Sequence, residues 1–286
     1  MKAIKKVFGG IEMTWPKVII MAVVTAAYTA LINQVPFLKE TSFQDIAISF
    51  ECWVFFAMMI MMNTKKPLES AIKTFVFFLI SQPLVYLIEV PFLGWSVMEY
   101  YKNWILWTIL TFPMAYFGNY LRKKNWFSLL VISPAILFVG FIGMDYLITA
   151  FDTFPKHLLS ALFCFATMFI YSLAVTEQKK QRIIALTVSA VIVAASVVVA
   201  IISPTNISTS VMASYKDGPF DETYSVHIED EKLGTVSIKA IDDFYVVQGD
   251  FKRTGKTKLI LEDKDGNKRS FDLDIGRKTY TINEIK

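Results

Sequence analysis

Glu51 is the residue most able to do chemistry in this chain, because it stands between Phe50 and Cys52 inside an apolar run from Phe43 to Met62. An ionised carboxylate at mid-membrane depth costs from about +2.5 kcal/mol upward. Such a group marks an ion, proton or solute site, or else, protonated, it hydrogen-bonds a neighbouring helix as packing glue. Gln44 lies seven residues earlier on nearly the same helical face, which predicts that Glu51 points into a bundle. A second stripe runs through Gln82, Tyr86 and Glu89 at spacings of four and three. Pro83 frees a backbone carbonyl one turn earlier, so this face is a candidate lining for a solute or ion site, with Glu89 reaching toward the outer interface.

A third pattern is more regular. His157, Ser160, Cys164, Thr167 and Tyr171 recur at three, four, three and four residues, one continuous seam of small or polar groups. Small residues at such positions let membrane helices approach closely, so packing is the favoured reading. His157 opens the seam at an outer end, level with Asp45, Glu89, Asp145 and Asp152. An imidazole among carboxylates suits cation binding or pH sensing, and it also suits interfacial anchoring. One histidine is not a metal set, and neither a metal nor another cofactor is expected.

The elements that must position these residues are seven apolar stretches: Pro16 to Val35, Phe43 to Met62, Ala71 to Val90, Trp104 to Leu121, Trp126 to Leu147, Leu158 to Thr176 and Ile183 to Ser203. Each is close to the ~20 residues that a spanning helix needs, the fourth being shortened by Pro113. The first three junctions after odd-numbered stretches hold one basic residue each, Lys39, Lys102 and Lys156. The other side holds Lys2, Lys5, Lys6 and Lys17, then Lys65, Lys66 and Lys73, then Arg122, Lys123 and Lys124, then Lys179, Lys180 and Arg182. Short loops rich in Lys and Arg stay in the cytoplasm, so the expected topology has the N-terminus inside and everything after Ser203 outside. Trp15, Trp95, Trp104, Trp107 and Trp126 lie at or within a turn of expected helix ends, as an interfacial belt requires, and Trp53 alone sits at mid-span.

Composition divides the chain at the same place. Hydrophobic residues make up 54% and mean hydropathy is +0.46, above the ~45–50% apolar content of soluble domains. Residues 1–203 carry 16 Lys/Arg against 10 Asp/Glu, and residues 204–286 carry 13 against 15. The basic excess is therefore a topology signal, which argues against nucleic acid as a partner and for the lipid bilayer. The first stretch is too long for a removed signal peptide. Both cysteines, Cys52 and Cys164, fall inside expected spans, so the exported segment has no disulfide framework. That composition matches bacterial surface proteins, and the expected location is a bacterial cell membrane, crossed several times.

From Ile207 onward the chain reads as strands: Val211 to Tyr215, Tyr224 to Ile228, Thr235 to Ala240, Phe244 to Val247, Lys258 to Glu262, Ser270 to Ile275 and Thr279 to Ile282. Lys216-Asp217-Gly218-Pro219 and Lys264-Asp265-Gly266-Asn267 carry turn chemistry between alternating runs. The expected fold class is thus a seven-helix transmembrane domain, 1–203, followed by a small all-β extracytoplasmic domain, 204–286, a sandwich and possible immunoglobulin-like fold without the Cys and Trp hallmarks. Trp95, Tyr100 and Tyr101 in the longest outer loop, with Lys252 and Arg253 at a turn of the β domain, are candidates for outer-surface docking.

Absences narrow the chemistry. There is no His-Glu-x-x-His, no Gly-x-Ser-x-Gly and no phosphate-cradling loop. The last stretch has no lysine for a retinal Schiff base, and Asp263-x-Asp265-Gly266-Asn267 falls short of a calcium loop. No internal repeat is visible. Two readings remain. The first and favoured one is a non-enzymatic membrane protein whose exported β domain binds a ligand or protein partner while the bundle anchors or relays the event. The second is a small-solute or ion transporter using Glu51 and the Gln82/Tyr86/Glu89 face.

Overall fold

The computed structural model describes residues 2–214, 218–241 and 244–285. Its helices are α1 (Lys2–Val7), α2 (Trp15–Gln34), α3 (Ser42–Ile48), α4 (Phe50–Met62), α5 (Pro67–Leu93), α6 (Met98–Gly118), α7 (Trp126–Asp152), α8 (Leu158–Ala174) and α9 (Lys179–Ile202). Four of them, α2, α5, α7 and α9, are long and apolar enough to cross a membrane, or up to five spans if the bent pair α3 and α4 is one. The α8 helix has 17 residues, and α6 opens on the polar run Glu99-Tyr100-Tyr101-Lys102-Asn103, which lowers its apolar character. Proline starts two helices: Pro16 in the first turn of α2 and Pro67 at the head of α5, where the missing N–H is no loss. Pro83, Pro91, Pro113 and Pro134 lie inside helices that nevertheless continue, as membrane helices permit when neighbours resatisfy the backbone.

The helices form a compact unit of residues 1–147 and 155–198. Side-chain hydrogen bonds gather its junctions at two ends. At one end Asn63 Oδ1 accepts from the Gly9 and Ile11 N–H groups at 3.0 and 2.8 Å, and its Nδ2 donates to Val7 O at 2.5 Å. Asn119 Nδ2 and Arg122 Nη1 both donate to Thr64 O, at 2.7 and 2.8 Å. Lys73 Nζ donates to Met13 O and to Glu69. The segment before α2, the α4–α5 junction and the α6–α7 junction therefore share an end, and with them the basic residues Lys65, Lys66 and Arg122. At the other end the Ser42 N–H and Oγ donate to Lys156 O at 2.7 and 2.6 Å. Asn33 Nδ2 donates to Glu89 Oε1 at 2.8 Å. Between the ends lies an apolar core that includes Met58, Ile132, Val139, Met168 and Tyr171, with a second cluster around Ala22, Trp53 and Phe77. Outward faces remain apolar, with Leu106, Leu130, Phe141, Val191 and Ile202 all more than half exposed.

The second compact unit comprises residues 148–154 and 199 onward. Its strands are β1 (Ile207–Ala213), β2 (Ser225–Ile228), β3 (Gly234–Ile241), β4 (Phe244–Phe251), β5 (Gly255–Glu262), β6 (Lys268–Ile275) and β7 (Tyr280–Glu284). They make two antiparallel sheets, β1-β4-β3 and β2-β5-β6-β7. Alternation supplies the shared core: Leu259 and Leu261 from β5 and Phe271, Leu273 and Ile275 from β6 meet Ile207, Val211, Val247 and Phe251 of the other sheet. The β1 register shifts between Ser210 and Met212. Tyr215 and the Lys216-Asp217 half of the expected turn lie outside the described residues. Asp152 Oδ2 accepts the Arg277 and Lys278 N–H groups at 2.6 and 2.8 Å. Arg277 Nη1 donates to Ala200 O, and its guanidinium lies over the Phe151 ring. Gly276 allows this approach, since a Cβ there would come within 2.7 Å of Asp152 Cγ.

Candidate functional site

The stretch from Phe43 to Met62 is two helices, with 48° between α3 and α4. Neither proline nor glycine makes the break. Ser49 is extended, at φ −81° and ψ 156°, and tertiary bonds hold α3 in its own direction. Thr29 Oγ1 donates to Ala47 O at 2.9 Å, satisfying a carbonyl that a continuous helix would have used. Ser42 Oγ, besides its bond to Lys156 O, accepts the Ser160 N–H at 3.1 Å. Asp45 Oδ2 accepts from Ser160 Oγ at 2.6 Å and pairs with His157 Nδ1 at 2.7 Å. The Tyr146 ring stacks on that imidazole, 6.4 Å between centroids and 8° between planes.

Glu51 sits in the first turn of α4, just past the break. It is fully buried, and both carboxyl oxygens lack a hydrogen-bond partner. So do Ser49 Oγ and Tyr171 Oη. Ser49, Asp45 and Cys164 are its polar neighbours, and Tyr146 and Tyr171 lie within electrostatic reach. Two physical effects oppose each other at this carboxyl. Burial disfavours its charge. The free N–H groups at the start of α4 favour that charge. Among the described residues there is no group of three or more His, Cys, Asp or Glu side chains suited to a metal ion.

The sequence-based face joining Gln44 to Glu51 does not form, because helical periodicity does not run across the break at Ser49. Gln44 instead binds outward, donating from Nε2 to Asn33 Oδ1 at 3.2 Å and accepting from the Glu40 N–H at 2.7 Å. The seam on α8 is buried along its length, with Ser160, Cys164, Thr167 and Tyr171 at most 1% exposed. His157 precedes the first turn of α8 and occupies its N-cap position. The α5 stripe divides. Tyr86 and Glu89 line a pocket of about 510 Å³ together with Asn33, Gln44, Tyr100 and Asn103. Gln82 lines a separate apolar cavity of about 590 Å³.

Trp95 and Tyr100 are exposed at 72% and 64%, and Tyr101 packs against Tyr86 with centroids 6.2 Å apart. In the β unit Lys252 Nζ donates to Asn206 Oδ1 at 2.7 Å, while the Arg253 N–H donates to Leu233 O. Sequence reasoning placed His157 level with Asp45 but missed Ser49, Tyr146 and Asn33. Hydropathy carried no signal for the break at Ser49, whereas the polar pair Asn33-Gln34 at the end of an apolar run was a legible one. No protein-family model, curated protein or solved structure matches this chain.

Proposed function

We propose that this chain is a non-enzymatic, multi-pass protein of a bacterial cell membrane that couples a small solute or ion to proton or cation binding at Glu51. The observation that carries the reading is a fully buried, unpartnered carboxyl in the first turn after a break between two half-helices. Broken helices inside membranes leave half-helix ends and unwound carbonyls free at mid-depth, the construction that ion-coupled transporters use for substrate and coupling ion. Asp45, His157 and Ser160 hold α3 against α8, so Glu51, in the first turn of α4, stands beside a half-helix fixed by its own tertiary bonds. The outer pocket around Asn33, Gln44, Tyr86 and Glu89 is then the entry for solute. In this reading seven spans cross the bilayer, with α3 and α4 counted as one and α6 and α8 included. The N-terminus lies in the cytoplasm and the β unit lies outside.

A second reading, in which the exported β unit binds a ligand or protein partner, is favoured by a cleft of about 420 Å³ lined by Glu222, Tyr224, Ser237, Ile238 and Tyr245. The two sheets around their common core are read as a small sandwich, although the orders β1-β4-β3 and β2-β5-β6-β7 differ from those of an immunoglobulin domain. The test of the ion reading is a titration of the purified protein with Na⁺, Li⁺ and acid. Wild type should show a saturable rise in thermal stability with one of them, and Glu51→Gln should lose it. An identical response from Glu51→Gln would leave Glu51 as packing glue and transfer the functional question to the β cleft.

A further inference from the structure

The cavity that Gln82 lines is built differently from the Glu51 site. It runs between α4, α5, α6 and α7, and no Asp, Glu, Lys, Arg or His side chain lines it. Its walls are aromatic faces: Phe50 contacts Trp104, Trp107 and Phe138 with centroids 5.2, 5.0 and 5.5 Å apart. Trp53 and Met58 on its inner side are 4% and 2% exposed, whereas Met114 and Phe117 on the opposite side are 61% and 59% exposed. The cavity is therefore entered from the apolar surface between α6 and α7.

Three of its polar groups have no partner. Gln82 Nε2, Thr74 Oγ1 and Thr108 Oγ1 lack hydrogen bonds, and these side chains are 4%, 1% and 4% exposed. Three groups of this kind are unsatisfied by the protein itself, and each needs a hydrogen-bonding partner to replace the water it gives up. Their chemistry specifies the occupant. The amide N–H donates and the two hydroxyls donate or accept, a set that an uncharged acceptor satisfies, and aromatic walls accept a flat ring. A volume of about 590 Å³ lies within the ~300–1,000 Å³ range of ligand pockets.

Depth decides between kinds of lipid. Gln82 is 15 residues from the start of α5 and 11 from its end, hence about 22 Å and about 16 Å along the helix axis. The ester carbonyls of phospholipids lie at the edges of a hydrocarbon layer about 30 Å thick, too far out to meet this amide. We propose that the cavity binds a membrane-soluble molecule with an uncharged, carbonyl-bearing ring and an apolar tail, of the prenyl-quinone class, with a ring carbonyl accepting from Gln82 and a second from Thr74 or Thr108. The inference rests on α5 crossing a bilayer and is independent of any role for Glu51.

The test uses the full chain in nanodiscs of phosphatidylglycerol and phosphatidylethanolamine, titrated with a short-tailed naphthoquinone, which quenches tryptophan. Wild type should quench saturably and retain one quinone per protein after gel filtration. Gln82→Leu should bind about tenfold more weakly, Thr108→Val should bind less weakly than that, and Ala135→Phe should retain none, with thermal unfolding of each variant reported alongside. Unsaturable quenching that is equal in wild type and Gln82→Leu overturns the proposal. So does retention at background while a photoactivatable phosphatidylglycerol cross-links to Met58, which would make the cavity an acyl-chain site. If Gln82→Leu fails to fold, Ala135→Phe and Thr108→Val decide by the same criteria. A Na⁺ response that persists in Ala135→Phe separates failure here from failure of the Glu51 reading.

Discussion

Replacing Glu51 by methionine should stabilise the helical unit, because the side chain of the wild type is buried without partners. Methionine is of similar length and leaves no polar atom to satisfy. Both carboxyl oxygens of Glu51 are without hydrogen bonds, and an unsatisfied buried group costs about 1–3 kcal/mol. Against this, a carboxylate in the first turn of α4 gains about 0.3–1 kcal/mol from the helix dipole, a contribution the variant loses. The net is about +1.5 kcal/mol. For a unit of this size each kcal/mol moves the midpoint by about 2–4 °C, so Glu51→Met should melt about 3–6 °C higher. The measurement is the thermal loss of helical circular dichroism in mild detergent at low Na⁺, with Ser49→Ala as a companion whose shift is smaller. A stabilised variant that no longer responds to Na⁺ or acid is the signature of a site that trades stability for function. A variant that melts several degrees below wild type would refute the reasoning, since it would show that the carboxyl is holding helices together.

Three further outcomes follow from particular contacts. Asp45→Asn and Ser160→Ala should each destabilise the protein, and the double variant should show a coupling of about 1–2 kcal/mol, because one carboxylate oxygen accepts from both Ser160 and His157; additive effects would mean that α3 is held elsewhere. Single cysteines at Lys65, Lys123 and Lys180 in a Cys-free background should resist a membrane-impermeant maleimide in intact cells, while cysteines at Lys102 and Lys264 react; the reverse pattern inverts the topology. In the β5–β6 turn, hydrogen bonds from the Asn267 side chain and backbone hold the Asp263 carboxyl below the usual carboxylate range. A lowered folded-state value means that the turn's stabilisation is fully present above the unfolded value of ~3.9 and is lost as pH falls through the folded one. The protection of the Asp265 and Asn267 amides relative to their intrinsic exchange rates, which follows from their N–H bonds to Asp263 Oδ1, should hold at pH 5 and fall only under strongly acidic conditions, and Asp263→Ala should lack it at both.

What the linear chain determined is what depends on composition and period. Apolar runs of bilayer length and basic residues at alternate junctions mark where helices lie and which junctions belong together, and in the structure Arg122 does reach Thr64 beside Lys65. The alternation of Val, Ile and Phe with polar residues, broken by Asp-Gly, marks seven strands, and the seven observed overlap those positions. The buried seam of α8 follows from its three-and-four spacing, because a single unbroken helix carries one phase from Ser160 to Tyr171. Other features were decided only by packing. Ser49 has no property that ends a helix, and the break depends on Thr29, Ser160 and Lys156, each distant in sequence, taking the bonds that α3 offers. Once the phase is lost there, Gln44 and Glu51 serve different sites, a separation that no periodicity could reveal. The α5 stripe is continuous in sequence yet divides between a polar pocket and an apolar cavity, with Trp104 of α6 lining both. Thr74 and Thr108 look like ordinary small residues of apolar helices, and it is the missing partner of each in three dimensions that makes them candidates for holding a ligand.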